Sequence, residues 1–422
     1  MRLLEVYLQQ HNTNMNQMHR ISGLPETTVR NLNKKPLEKW TVKQIDAVSK
    51  TVNKSREMVI FELERLNLEN FKSLGRYNLQ QRRYIGNKTK ILKWIKELVD
   101  EYTKGTSFFD VFAGTGVVTK ELINNFDKFI INDFLFSNNI IFKAFFGSQE
   151  YNSEKLLELK QVFNKIKKRE YDDTYVEDNY GNRFFSNFDA MKIGEIREII
   201  ERNTEINERE RAILITSLLY SLDNIANTVG HYDAFRKTND IVDKFKFELI
   251  NPINKSEKEF YIFRKDANQL VREVKTDVAF IDPPYNSRQY SRFYHVLESI
   301  TKWDKPILSG VAMKPPVENM SAYSKVAAPK MFDDLISNLK ANYIVVTYNN
   351  TYNSKSSSSK NKITHEQILE SLNKVGNTRQ FEQSYKFFNT GKTDLKNHKE
   401  FVFITEVGVF NDSIYGRKNK DK

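Results

Sequence analysis

The sequence contains no cysteine. That absence excludes a disulfide framework, a Cys-ligated zinc site, an iron–sulfur cluster and a cysteine nucleophile. It fits a reducing compartment, and a cytoplasmic location is expected. Long apolar runs are missing too. No stretch approaches the roughly 20 residues of a membrane-spanning helix. The opening residues, MRLLEVYLQQHNTN, carry no apolar core of the secretory type. No membrane partner is therefore expected. Internal repeats are also absent.

What the chain has in excess is positive charge. Its 66 Lys+Arg against 54 Asp+Glu give a net +12 and a pI near 9.3. That balance favours a polyanionic partner, most often nucleic acid, although a merely basic enzyme has the same arithmetic. With 422 residues, 39% hydrophobic and 28% charged, the chain is long enough for two to three domains. Its core needs no metal staple.

Two blocks can be separated. Residues 1–70 are polar and helical in pattern, with no strand signal. From residue 80 to 422, short β-branched or aromatic runs alternate with helical stretches. Strands are expected at 107–112, 128–132, 278–281, 343–348 and 401–406. Strands spaced by helices indicate a parallel sheet built from βαβ units. Residues 147–255 form a long, mostly helical insertion that includes an amphipathic run at 208–222 and a polar stretch at 171–187. The serine run at 355–360 reads as a mobile loop, and 417–422 as a disordered basic tail.

Within the first block, residues 17–33 have the grammar of two short helices joined by a tight turn. Gly23 sits where the turn needs a positive φ. Leu24 anchors it, Pro25 suits the first turn of a new helix, and Val29 and Leu32 bury one face. Glu26, Thr27, Thr28, Arg30, Asn31 and Asn33 are left for a groove. Further helices are expected at 42–52 and 56–66. The block resembles the Cro/repressor type of helix-turn-helix domain, which implies contact with DNA. A purely structural helical cap has the same pattern.

The run Ser107-Phe108-Phe109-Asp110-Val111-Phe112-Ala113-Gly114-Thr115-Gly116 is an apolar strand entering a glycine turn. Glycine there lets the backbone approach a ligand, and the helix that follows offers the positive end of its dipole. The next strand ends in Asp133, at the spacing of an acid that binds a ribose diol. Thr119 stands where a dinucleotide fingerprint places its third glycine, which counts against a dinucleotide. NAD and S-adenosylmethionine are the nucleotide-type ligands considered, and a helix cap is the plain alternative for Asp133.

A second constellation decides between them. Asp277-Val278-Ala279-Phe280-Ile281-Asp282-Pro283-Pro284-Tyr285 is an apolar strand closed by Asp-Pro-Pro-Tyr. The prolines stop the strand and stiffen the turn. Asp282 and Tyr285 are thereby held at the carboxyl edge of the sheet. The exocyclic amine of adenine is a poor nucleophile because its lone pair is delocalised. A carboxylate and a backbone carbonyl that accept its two N–H bonds favour a pyramidal nitrogen, while an aromatic ring stacks the base. The base must leave the duplex to reach them. Orientation and electrostatics then suffice, and no metal is expected.

With Tyr84-Ile85-Gly86-Asn87-Lys88 added, the chain resembles the Dam-like class of DNA adenine methyltransferases over about residues 80–409. The resemblance implies a Rossmann-like α/β core that uses S-adenosylmethionine. The aromatic Tyr84 and the lysine Lys88 would contact the cofactor, the lysine near its methionine carboxylate. Gly114, Gly116 and Asp133 would complete that site together with Asp282. On the residues alone, Tyr84 reads equally as core and Lys88 as a solvated helix start.

The catalytic set implied is Asp282, Pro283, Pro284 and Tyr285, with the target-recognition region in the insertion. The stretch after the tetrad, Asn286-Ser287-Arg288-Gln289-Tyr290, together with residues 227–235, looks like the restriction–modification branch. Arg288, Gln289 and Tyr290 would line the flipped-base pocket or grip the strand, with His295 and Glu298 as support. Asp266 is a weaker candidate near the cofactor adenine. The implied partners are double-stranded DNA and, biologically, a restriction endonuclease encoded nearby. N4-methylation of cytosine, RNA methylation and a helix-turn-helix regulator with a silent core are the rival readings. An operator-binding role for the first block also stays open.

Overall fold

The computed structural model describes residues 3–33, 35, 37–71, 74–86, 88–237, 240–254, 257–284, 289–349, 362–384 and 399–409. The chain divides into two compact units, Met1–Arg76 and Tyr77–Lys422.

The first unit is built from α1 (Leu3–Gln10), α2 (Met15–Ser22), α3 (Glu26–Leu32), α4 (Val42–Val52) and α5 (Arg56–Phe71). Leu4, Tyr7, Met18, Val29, Leu32, Val48, Val59 and Leu63 form its core. Asn14 starts α2 by accepting from Gln17 N at 3.0 Å, a capping bond. Gly23 ends it with φ 72°, a left-handed conformation that glycine adopts without a Cβ penalty. Pro25 lies just ahead of α3 rather than inside its first turn. Thr27, Arg30 and Asn31 are exposed and Thr28 is half-buried. Asn33 departs from expectation. It is 5% exposed, because its Oδ1 accepts from Glu5 N at 3.0 Å. The end of α3 is thus tied back to α1 and withdrawn from any groove.

In the second unit, the described strands are β1 (Ser107–Asp110), β2 (Lys128–Asn132), β3 (Glu259–Phe263), β4 (Lys275–Ile281), β5 (Lys340–Asn349), β6 (Gly376–Ser384) and β7 (Lys399–Val407). They form one sheet in the order β3-β2-β1-β4-β5-β7-β6. Its strands are parallel from β3 through β5, and β7 runs antiparallel between β5 and β6. This is a mixed α/β sheet of the Rossmann-like type. The five expected strands lie within it. The two unexpected ones, β3 and β6, are the edges, where only one neighbour and little burial shape the composition. β6 reads GNTRQFEQS and owes its extension to the ladder with β7.

The helices are α6 (Leu92–Tyr102), α7 (Val117–Glu121), α8 (Phe136–Phe146), α9 (Ser153–Lys165), α10 (Tyr175–Tyr180), α11 (Asn187–Arg202), α12 (Glu208–Ile225), α13 (Ala267–Glu273), α14 (Tyr290–Phe293), α15 (His295–Lys302), α16 (Ala328–Asn338) and α17 (His365–Asn373). One core fills the space between the sheet and α13, α16 and α17, with Phe109, Ala279, Ile281, Val346, Phe332 and Leu372 at its centre. The insertion is helical only as far as Ile225, and the described residues of 226–254 hold no helix. The run at 208–222 is not amphipathic in place. α12 packs on α8, α11 and α15 and is buried from Arg209 to Asp223 except at Arg211, which is half-buried. Its hydroxyls survive burial by bonding to backbone carbonyls, as Ser217 Oγ does to Ile213 O at 2.6 Å. No helix among the described residues is long and apolar enough to cross a membrane.

The amino edge of the sheet is tied by one carboxylate. Asp277 Oδ2 accepts from Thr106 N (2.9 Å), Ser107 N (3.0 Å) and Ser107 Oγ (2.8 Å), and its Oδ1 accepts from Asn342 Nδ2 (3.0 Å). β1, β4 and β5 are thereby fixed in register. Gly105 makes this possible, since a Cβ there would fall 2.2 Å from the Asp277 Cβ. Burial raises the Asp277 carboxyl, but these hydrogen bonds outweigh it and hold the group below the usual range. Its stabilising effect is therefore present at neutral pH and lost as the pH falls through the lowered value. Asp277→Ala is expected to destabilise the fold by about 2–3 kcal/mol at pH 7. Denaturant unfolding should show the difference shrink below about pH 4. A constant difference across pH would contradict this account.

Candidate active site

The site lies at the carboxyl ends of β1, β2, β4 and β5, where ligands of open α/β sheets bind. Strand register brings its parts together. Ile281 pairs with Val346, so Asp282, the next residue of β4, meets Thr347, the next residue of β5. Thr347 Oγ1 donates to Asp282 Oδ1 at 2.8 Å. Lys88 Nζ lies 3.0 Å from the same oxygen. Both partners are well buried, Lys88 at 7% exposure and Thr347 at 0%. Burial pushes the Asp282 carboxyl up, and Lys88 and Thr347 oppose that shift without cancelling it. Lys88, which the resemblance assigns to the cofactor carboxylate, thus stands on the carboxylate of the tetrad. Pro283 is buried and Pro284 half-buried. Tyr285 and Arg288 fall outside the described residues, as do 355–360 and 417–422.

The glycine turn follows β1. Gly114 and Gly116 have φ values of 55° and 73°, so both positions favour glycine. A Cβ on Gly116 would fall 3.0 Å from the Phe142 ring. Asp133 closes the turn from β2. Its Oδ2 accepts from Gly114 N at 2.9 Å and its Oδ1 from Leu135 N at 2.9 Å. A carboxylate has about four acceptor positions, so Asp133 keeps capacity for ligand hydroxyls. Burial raises its carboxyl. The helix expected at 117–124 is the short α7.

Tyr84 sits half-buried over this turn. A Cβ on Gly114 would lie 3.4 Å from its ring. The ring stacks on Tyr294 (centroids 4.9 Å apart, 7° between planes) and on Tyr290 (5.3 Å, 22°). Tyr290 also donates to Ile85 O at 3.3 Å, and the Tyr294 hydroxyl oxygen accepts from Ile85 N at 2.8 Å. Tyr290 thus belongs to the packing of the entry motif. The amide of Gln289, expected to line the flipped-base pocket or grip the strand, is engaged within the protein: its Nε2 donates to Ser321 O (3.0 Å) and its Oε1 accepts from Ser321 N (2.8 Å). Both ends of its amide are engaged in holding a loop.

Support comes from several residues. Glu298 accepts from Phe136 N (3.0 Å) and Ser137 N (2.8 Å), so it caps the start of α8. His295 is fully buried beside Tyr232 O (2.9 Å), and burial pushes its pKa down to about 4. It is a neutral packing group at physiological pH. Asp266 caps α13 by accepting from Gln269 N at 3.2 Å.

Two groups escaped sequence reasoning. Arg82, 5% exposed, donates to Asn138 Oδ1 and lies 5.2 Å from the Tyr84 ring centre. Asp110 ends β1 at 1% exposure and accepts from Thr119 Oγ1 at 2.8 Å. Thr119 is the residue in place of the third glycine. An apolar strand closed by an acid was the available signal, since β1 repeats the pattern of β4.

Residues 84–363, well over half of the chain, match the D12 class N6 adenine-specific DNA methyltransferases. The chain belongs to this family. Among curated relatives, Modification methylase LlaI of Lactococcus lactis subsp. lactis is 32% identical to this chain over 288 residues, covering 64% of this chain and 46% of the relative. Modification methylase StsI of Streptococcus sanguinis is 33% identical over 292 residues, covering 64% and 44%. Type II methyltransferase M.NlaIII of Neisseria lactamica is 28% identical over 348 residues, covering 76% and 98%. The chain thus spans less than half of the first two relatives and nearly all of the third. The matched D12 segment begins at Tyr84 and includes Lys88, the glycine turn, Asp133 and the tetrad.

Burial, reinforced by Asp282 and Asp133, pushes the Asp110 carboxyl up to about 7. The unfolded group ionises near 4. The folded state therefore holds the extra proton between these values, and stability is lost as the pH rises from about 4 to about 7. Asp110→Asn should flatten that decline in thermal or denaturant unfolding. An unchanged slope would show that Asp110 ionises normally in the fold.

Proposed function

We propose that this protein transfers a methyl group from S-adenosylmethionine to the N6 amine of adenine within a specific double-stranded DNA sequence, as the modification enzyme of a restriction–modification system. The observation that carries this reading is the anchored Asp282 carboxylate at the end of β4, beside the glycine turn and Asp133.

The residues present suit the cofactor. Gly114 and Gly116 keep the turn free of side chains, Tyr84 offers an aromatic face, and Asp133 retains acceptor capacity for a ribose diol. When bound, S-adenosylmethionine would supply an electrophilic methyl group for the N6 amine, with S-adenosylhomocysteine as the leaving group and the surplus amine proton released to water. Asp282 and the Pro283 carbonyl accept the two N–H bonds and orient the amine. Tyr285 stacks the extruded base. Water exclusion at this buried edge strengthens these interactions.

The first unit, in this reading, is a helix-turn-helix domain that contacts DNA through α3, and basic residues of the insertion meet phosphates. The exposure of Thr27, Arg30 and Asn31 supports it. An endonuclease encoded nearby would share the recognition site.

Nucleosides from DNA of a methylation-deficient host expressing the protein are expected to contain N6-methyladenine by mass spectrometry. Asp282→Ala should still bind DNA and yield none. N4-methylcytosine, or an active Ala variant, would overturn the reading. In a separate measurement, Arg30→Ala should weaken DNA binding and lower its salt dependence by about one phosphate contact. Unaltered affinity and salt slope would remove α3 from the interface.

A further inference from the structure

We propose that Thr347 is a positioning residue that sets the plane of the Asp282 carboxylate, so that Oδ1 is the anchored oxygen and Oδ2 the acceptor for the amine. This inference rests on the proposed adenine methylation and assigns a residue to it.

The geometry gives the two oxygens different surroundings. Thr347 Oγ1 and Lys88 Nζ both converge on Oδ1, at 2.8 and 3.0 Å. Among the described residues, no hydrogen bond is donated to Oδ2. The terminal torsion of an aspartate is broad and roughly two-fold. One contact from a lysine on its flexible four-carbon stem leaves the carboxylate plane free to swing. A second donor from another element removes that freedom. Thr347 is suited to the task. It sits inside β5, is fully buried, and is β-branched, so its χ1 is restricted. Strand register delivers it opposite Asp282 without any loop rearrangement.

The two donors also differ in kind. Lys88 neutralises the carboxylate and stands before α6 in the entry motif. Thr347 carries no charge and is built into the sheet. Its grip on Oδ1 is therefore maintained wherever the lysine is drawn when a ligand is present. A misplacement of about 1 Å at a reacting group can cost about a hundred-fold in rate, so a carboxylate that swings is a poor partner for the amine even when it is ionised.

The test is single-turnover methylation of a duplex carrying the mapped site, with DNA and S-adenosylmethionine saturating. Thr347→Val removes the donor and keeps the shape. Its rate should fall about ten- to a hundred-fold, with the apparent affinities for DNA and cofactor within about threefold of the unmodified enzyme. Thr347→Ser restores the hydroxyl and should recover most of the rate. The acid limb of the Thr347→Val pH–rate profile should move to higher pH, because a donor to the ionised form is gone. Lys88, Asp110 and Glu400 act on the same carboxylate and are unaltered in the variant. If the valine variant does not fold, Thr347→Ala is compared with Thr347→Ser in the same assay. A valine or alanine variant with full single-turnover rate overturns the assignment, as does a serine variant no better than valine. Loss of cofactor affinity in step with rate would also overturn it, by making Thr347 structural. Absence of N6-methyladenine from the unmodified enzyme would instead reject the parent reading.

Discussion

Carboxylates close three neighbouring strands of the sheet, and the fold has to hold them together in a place with little water. Asp110, Asp133 and Asp282 end β1, β2 and β4, and burial raises all three. An isolated buried carboxylate is costly, and removing one partner from a buried pair costs about 3–5 kcal/mol. The fold meets this with a different device for each acid. Asp282 receives Lys88 and Thr347. Asp133 receives two backbone N–H groups. Asp110 receives a threonine hydroxyl and retains its proton up to about pH 7.

These devices explain features that seem unrelated along the chain. The left-handed turn at Gly114 presents its N–H to Asp133, so the glycine turn and the second acid form one unit. Glu298, far along the chain from that turn, caps α8 and fixes the segment that follows Asp133. Arg82 reaches the same helix through Asn138 and lies against Tyr84. The segment after the tetrad returns to the entry motif through the stacked Tyr290 and Tyr294. Residues distant in sequence thereby share one packed cluster, and the entry motif and the segment after the tetrad are braced by common contacts.

Much of this was legible in the sequence. The inner strands announce themselves because both their faces are buried, which demands continuous apolar runs. The glycine turn, Asp133 and Asp282 follow from strand ends. The edge strands β3 and β6 were not legible, since their extension comes from a neighbour's ladder. Gln289 looked available because its sequence position follows the tetrad. Its engagement by Ser321 is a tertiary fact with no local signature. Thr347 was hidden for another reason: only register shows which residue of β5 meets Asp282. Asn33 looked like part of an exposed face until α1 was seen to claim it.

The sheet carries acids at both of its ends, with opposite consequences. At the amino edge, Asp277 is surrounded by donors and serves only cohesion. At the carboxyl edge, the acids retain capacity for something other than the protein. Along β4, Asp277 and Asp282 are five residues apart, about 16 Å at the usual rise of a strand. That exceeds the range over which substitutions normally couple. Robustness and chemistry are thus assigned to opposite ends of a single strand, and sequence drift can adjust one without disturbing the other.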